Sequence, residues 1–188
     1  MKNFLALVVL TFATVMGVSA QMDNMKSDGN PMVGGAAMYK TKNIVENAVS
    51  SKDHTTLVAA VKAAGLVDTL ASAGPFTVFA PVNSAFDKLP AGTVDTLLKP
   101  ENKGMLTKIL TYHVVAGNFD SKKIAKAIKK GKGTATFTTV AGGKLMASMS
   151  GKNLILTDEK GGKSTVTIAN VRQSNGVIHV IDTVLMPN

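Results

Sequence analysis

The chain has 188 residues without cysteine or tryptophan, and its 21 lysines and arginines against 12 acids give a net charge of +9. The absence of cysteine excludes disulfides, thiol catalysis and metal centres built on cysteine ligands. The charge is unevenly placed, because residues 121–157 contain eight lysines and no acid and so supply almost all of the net charge.

The first twenty residues have the pattern of a cleavable secretory signal peptide. Lys2 precedes an apolar run from Phe4 to Val18, and Val18-Ser19-Ala20 supplies the short residues that signal peptidase reads. The run is shorter than the ~20 apolar residues that a membrane span needs, which favours a cleaved signal peptide. An uncleaved membrane anchor is the alternative. We predict a signal peptide over 1–20, a mature chain from Gln21 without a transmembrane segment, and a secreted or periplasmic location.

Residues 21–38 combine glycine, methionine and short polar residues without periodicity, which predicts a flexible linker before a domain over 39–188. In the domain, Asn43 with Glu46 three residues later resembles a capping box. Asp53 is expected to cap a second helix that ends at Gly65, and His54 beside it is expected to be exposed.

The β-rich segment Phe76–Ala80 predicts a strand, and Asn83 and Thr93 are expected to cap the short helices that follow. Apolar residues at 106, 109 and 110 predict the face of a longer helix. We predict a second strand over 112–115, which contains His113.

Residues 121–130 predict a basic amphipathic helix, because five lysines fall within an arc of about 120° opposite the isoleucines. Period-two patterns then predict five strands, over 134–140, 144–150, 153–157, 165–171 and 177–185. Asn175-Gly176 is the strongest turn signal among them. Helices followed by antiparallel strands predict an α+β fold.

No motif in the sequence favours catalysis. There are three histidines far apart in the chain, no His-Glu-x-x-His or Gly-x-Ser-x-Gly frame, and scattered acids. His113 and His179, both in predicted strands, could approach one another, but a metal site needs three or four matched ligands. We therefore expect two structural histidines, no enzyme, no metal and no cofactor.

The lysine-rich segment has two interpretations. The first is an ordinary solvated helix face, and the second is contact with an anionic partner such as acidic polysaccharide, lipopolysaccharide or membrane. Nucleic acid is not expected, since Arg172 is the only arginine and no aromatics alternate with the lysines. The residues concerned are Lys122, Lys123, Lys126, Lys129, Lys130 and Lys132.

Three segments in register resemble the motifs of the fasciclin-type domain family: FTVFAPVNSAFDKLP from Phe76, LTYHVV from Leu110 and NGVIHVIDTVLMP from Asn175. The resemblance covers about 39–188 and implies a β-sheet wedge with helices packed over it. We interpret the motif residues as mainly structural, with Asn83 capping its own helix: Phe79, Asn83, Phe86, Tyr112, His113, Asn175, Gly176 and His179.

The resemblance also implies a function. The family is known for cell adhesion and matrix contact, and small secreted bacterial members exist. The chain is accordingly expected to be a monomeric adhesion module that binds glycan or a cell-surface protein. The alternative is a carrier of an apolar small molecule such as a carotenoid, since some algal and bacterial members bind carotenoids in an apolar groove.

Overall fold

The structure, a computed structural model, describes residues 29–188. The predicted signal peptide, the predicted start at Gln21 and the first part of the predicted linker lie outside these residues. Between residues 29 and 188, no helix combines the length and the apolar character needed to cross a membrane.

The described chain begins with a small antiparallel hairpin made of β1 (Met32–Val33) and β2 (Ala36–Ala37). Val33 and Met38 are buried in the core. The predicted flexible linker is therefore wrong for this stretch. Two-residue strands are too short to show a period-two pattern, and buried side chains rather than local propensity hold the hairpin in place.

Helices form the next layer. The capping box of α1 (Ile44–Ala48) is confirmed, since Asn43 and Glu46 bond each other's backbone N–H groups. The helix α2 (Thr55–Ala64) follows a 3₁₀ turn over Lys52–His54 and ends at Gly65 in the left-handed conformation. Asp53 lies inside that turn and does not cap α2, so this prediction is wrong. The next helix is α3 (Val67–Ala71).

The strand β3 (Phe76–Pro81) leads into three helices. These are α4 (Asn83–Asp87), α5 (Thr93–Leu97) and α6 (Lys103–Tyr112). Two predicted caps are wrong, because Val82 and Gly92 occupy the cap positions and neither Asn83 nor Thr93 bonds its own helix in that way. The predicted strand over 112–115 is also wrong at its start, since β4 is confined to Val114–Ala116 and His113 closes α6.

The second half follows the predicted order closely. The basic helix α7 is Ser121–Lys130, as predicted. The strands after it are β5 (Thr134–Thr138), β6 (Lys144–Ser150), β7 (Asn153–Thr157), β8 (Lys163–Gln173) and β9 (Gly176–Ile181). The last turn consists of Ser174 and Asn175 rather than Asn175-Gly176, because Gln173 pairs directly with Gly176.

The seven long strands form one sheet in the order β4-β3-β9-β8-β7-β6-β5. Neighbours are antiparallel except for β3 and β9, which are parallel. A bridge between Val115 and Thr139 joins the two edges, so the sheet is nearly closed into a barrel-like wedge. This architecture is the predicted α+β class.

Two apolar cores share the sheet. The first lies between helices α1–α6 and the strands β3 and β9. The second lies inside the curved sheet and includes Phe79, Tyr112, Phe137 and Leu145. Helix α7 contributes Ile124 and Ile128 to the second core, which it covers from one side.

Candidate functional site

Tyr112 is fully buried at the end of α6 and joins three parts of the chain. Its hydroxyl donates to the Lys144 carbonyl at 2.7 Å and accepts from the Glu159 N–H at 3.2 Å. Burial, followed by the nearby Glu159 and Asp158 charges, raises the pKa of Tyr112 to about 12 despite the Glu159 N–H bond. The phenol therefore stays neutral and serves as a structural tie.

His113 has both ring nitrogens satisfied inside the protein. Nδ1–H donates to the Ile109 carbonyl at 2.8 Å, and Nε2 accepts from the Leu185 N–H at 3.0 Å. These partners fix one neutral tautomer. Complete burial lowers the pKa of His113 to about 4, so the ring is uncharged at neutral pH.

His179 is satisfied in a different environment. Its Nε2–H donates to the Phe119 carbonyl at 2.9 Å, and its ring stacks on Phe79 with centroids 5.6 Å apart. Burial lowers the pKa of His179. His113 and His179 each bond their own backbone partners, and within 29–188 no group of three or more histidines and acids is arranged to hold a metal ion.

His54 is buried, at 4% exposure, so the prediction of an exposed histidine is wrong. Nδ1 lies 2.9 Å from the Ser51 Oγ, and Nε2 is a buried nitrogen without a hydrogen-bond partner. Burial lowers the pKa of His54. The pair resembles a nucleophile and base, but the adjoining cavity of about 20 Å³ is apolar and too small to admit a substrate.

The remaining motif residues join elements that are distant in sequence. Asn83 Oδ1 accepts from the Thr56 N–H at 3.0 Å, so Asn83 caps α2 rather than its own helix. Asn175 accepts from the Ile44 N–H and donates to the carbonyls of Leu70 and Ser72.

Gly176 leaves no room for a side chain, because a Cβ there would meet the Phe76 carbonyl. Phe86 is half-buried against the first core.

An apolar cavity lies between α1, α2, α3 and α6 on one side and β3 on the other. Its volume is about 50 Å³. This is a third of the ~150 Å³ of an engineered apolar cavity that binds benzene, so a carotenoid could enter this cavity only if the helices separated from the sheet.

A further candidate is the lysine face, which we define as Lys122, Lys123, Lys126, Lys129, Lys130 and Lys132. All six side chains are exposed. The two ion pairs within 29–188, Lys88–Asp182 and Arg172–Asp120, include none of them. One ammonium, that of Lys123, donates to the Asn118 carbonyl at 2.8 Å.

The position of α7 is fixed at its N-terminal end and along its buried side. Ile124 and Ile128 are 0% and 4% exposed in the second core. Asp120 caps the helix by accepting from the Lys123 N–H at 2.9 Å, and this bond lowers the pKa of Asp120. Asn170 of β8 accepts from the Ser121 N–H at 2.7 Å. The lysine face is therefore presented on a rigid support.

The acid nearest to the lysine face is already occupied. Asp120 lies 3.2 Å from the guanidinium of Arg172, which reaches it from β8. The pairing of Arg172 with Asp120 is not apparent from the sequence, because the two residues are 52 positions apart. Within residues 29–188 the six lysines therefore have no ion-pair partner, an arrangement suited to attracting an anion and not to acid–base catalysis.

The fold and these motif contacts define a fasciclin domain, and a family model described as "Fasciclin domain" matches residues 52–187. The chain belongs to the fasciclin domain family. It is 44% identical to "Protein sll1483" of Synechocystis sp. over 98% of this chain and 96% of that protein.

More distant relatives carry names that refer to cell exteriors and immunity. The chain is 32% identical to "Immunogenic protein MPB70" of Mycobacterium bovis, over 99% of this chain and 97% of that protein. It is 35% identical to "Cell surface glycolipoprotein MPB83" of the same species, over 84% of this chain and 67% of that protein.

A solved structure shares the fold. It is a FAS1 domain pair from the insect cell adhesion molecule Fasciclin I, with a TM-score of 0.68 and 19% identity over 77% of this chain. The present chain spans about half of that structure, 51% of its length.

Proposed function

We propose that this protein is a non-enzymatic adhesion module that acts outside the cytoplasm and contacts surface molecules through the lysine face. The observation that carries the proposal is the face itself. Its six lysines are exposed, while the opposite side of α7 is packed into the second core. Rigid presentation keeps the charges together, so a partner need not pay for ordering the helix.

The names of relatives support a role at a surface. One relative is a cell surface glycolipoprotein, and the structural relative is a cell adhesion molecule. The polar groups of the shared motifs bond within the domain, as Tyr112 and His113 do. An adhesion module needs a stable scaffold with an accessible face, and this arrangement supplies both.

The proposal includes export by the predicted signal peptide. Cleavage after Ala20 leaves a chain that begins at Gln21. The intact mass of the exported protein is expected to match residues 21–188. Recovery of the chain with Met1 in the membrane fraction would instead show an uncleaved anchor.

Binding to whole cells tests the adhesion role. Fluorescently labelled mature protein is expected to bind intact cells of the producing organism, and the variant K122Q/K126Q/K129Q is expected to bind less. The matched control is K40Q/K99Q/K163Q, which removes the same charge from exposed lysines elsewhere. Absence of cell binding by the wild type, or equal binding by both triple variants, would contradict the proposal.

A further inference from the structure

We infer that the lysine face binds a linear acidic polysaccharide and that Lys152, in the turn between β6 and β7, extends the binding surface. This inference rests on the proposed function and names the chemical class of its partner. It is carried by the arrangement of the lysines on α7, the absence of ion pairs to them within residues 29–188 and the burial of every large apolar side chain of α7.

The lysines follow one another along the helix axis. With a rise of 1.5 Å per residue, Lys122, Lys126 and Lys130 succeed one another at steps of ~6 Å on the same side of α7. Lys132 lies two residues beyond the end of the helix and is also exposed. A small anion can contact two such groups, whereas a chain with a repeating carboxylate can contact several in succession.

The strand register places Lys152 beside the end of this row. Thr134 pairs with Ser148, and Ser150 pairs with Asn153. Lys132 precedes Thr134 by two residues, and Lys152 lies between Ser150 and Asn153, so both lysines lie at the same end of the sheet. Both are exposed. The basic surface therefore runs beyond α7 onto the β6–β7 turn.

The lysines repel one another in the free protein. Like charges three and four residues apart on a helix destabilise it, and mixing glutamate into the same face would have avoided this. Asp120 attracts Lys123 but is already paired with Arg172, so it relieves little of the repulsion along the row. A bound polyanion would relieve the repulsion along the whole row at once.

The burial of α7 favours a soluble polymer over a lipid surface. A helix that lies on a membrane inserts apolar side chains between the lipids. The two isoleucines of α7, Ile124 and Ile128, are instead packed in the core, and its exposed side carries lysines and Ala125. Single-stranded nucleic acid is disfavoured because the lysine face offers no aromatic ring on which bases could stack.

Calorimetric titration with defined probes tests the inference. The mature protein is expected to bind polygalacturonate, and this binding is expected to weaken as the salt concentration rises. It is expected not to bind neutral dextran or phosphatidylglycerol vesicles. Replacing three exposed charge contacts in K122Q/K126Q/K129Q is expected to weaken binding about tenfold or more. The control K40Q/K99Q/K163Q is expected to stay within about twofold of the wild type, and K152Q to show a smaller loss than the first triple variant.

The following results would overturn the inference. An equal loss in both triple variants would mean that only net charge matters, and vesicle binding as strong as polygalacturonate binding would identify a membrane surface. A wild type that binds producing cells but not polygalacturonate would refute the polysaccharide partner and leave the adhesion role standing, whereas binding to neither would refute both. If the variants have the same melting temperature as the wild type, unfolding is excluded as the cause of weaker binding.

Discussion

His113 connects the end of α6 to the final residues of the chain. Its ring donates to the Ile109 carbonyl and accepts from the Leu185 N–H. In His113→Ala the buried Leu185 N–H loses its partner, which is expected to lower the free energy of unfolding by about 1–3 kcal/mol before any cavity cost. Urea denaturation measures this, with the surface variant Lys163→Ala as control. An unchanged unfolding free energy, together with lost cell binding, would show a binding role for His113 instead.

The buried histidines also predict how stability depends on pH. Burial lowers the pKa of His113 to about 4 and lowers the pKa of His54 and His179 below their ordinary value of 6.5. The folded protein therefore binds fewer protons than the unfolded chain at mildly acidic pH. The stability that the neutral rings contribute is complete above pH 6.5 and is lost as pH falls through the unfolded value toward the folded one.

We expect the free energy of unfolding to decrease between about pH 7 and pH 4.5, and His113→Gln to make that decrease shallower. Backbone N–H donors lower the pKa of Asp120 and Glu159, so these acids add to the decrease only near the acidic end of this interval, where they begin to bind protons in the unfolded chain. Urea titrations at several pH values provide the measurement. A flat profile in the wild type, or an equal slope in the variant, would contradict the assignment of neutral buried histidines.

Asn83 shows what the sequence can and cannot specify about one residue. Asparagine after a strand is typical of a helix cap, but the helix that Asn83 caps begins 28 residues earlier, at Thr55. Local spacing reports only on neighbours in the chain. The burial of His54 is likewise not predictable from its neighbours in the chain. The hairpin residues that line the cavity beside it belong to a segment whose sequence pattern predicts a linker.

At the scale of single elements, the β1–β2 hairpin is held by the close fit of its turn. Gly34 has a φ of +57°, and a Cβ there would meet the Ser51 Oγ and lie 2.6 Å from the Asp53 N. Gly35 has a φ of +75°, but a Cβ there would have nothing within 4 Å. The two glycines share the backbone requirement and differ in the space around them.

Gly34→Ala is therefore expected to lower the free energy of unfolding by at least about 1 kcal/mol more than Gly35→Ala. Both substitutions place an alanine in a left-handed backbone conformation, so this strain is common to the two variants. The difference between their losses in the free energy of unfolding therefore reports the contact with the 3₁₀ turn before α2. Chemical denaturation of the two variants decides it. Equal losses would mean that the hairpin does not press against that turn.

The elements also differ in how well their sequences predict them. The boundaries of α7 are as predicted, because lysines and isoleucines alternate with the helical period. Tyr112 and His113 precede two valines and so favour a strand, yet α6 continues through Tyr112 because its buried positions Leu106, Ile109 and Leu110 extend the helical face toward them. Burial on α6 outweighs the β propensity of the local segment.

At the scale of the whole molecule, the α+β class follows from the order of the patterns, but the sheet topology does not. The parallel pair β3–β9 joins Phe76 to Gly176, and the sheet closes through Val115 and Thr139. Pairings over such distances in the chain have no local signal. The resemblance of three motifs, rather than periodicity, was what predicted the wedge.

The location of the lysine face was likewise only half predictable. Its residues can be read from the sequence, whereas its support by the second core and the occupation of Asp120 by Arg172 depend on the folded chain. The net positive charge is thus concentrated on one firmly held surface. Such a surface attracts polyanions at a distance and loses that attraction as salt rises.

The measurement that tests this account most directly is an NMR titration of the ¹⁵N-labelled mature protein with short oligogalacturonates. The account predicts that the amide shifts that change will cluster on residues 121–133 and around Lys152, and that they will vanish at high salt. Shift changes centred on the apolar cavity beside α2 and α6, or spread evenly over all exposed lysines, would contradict it.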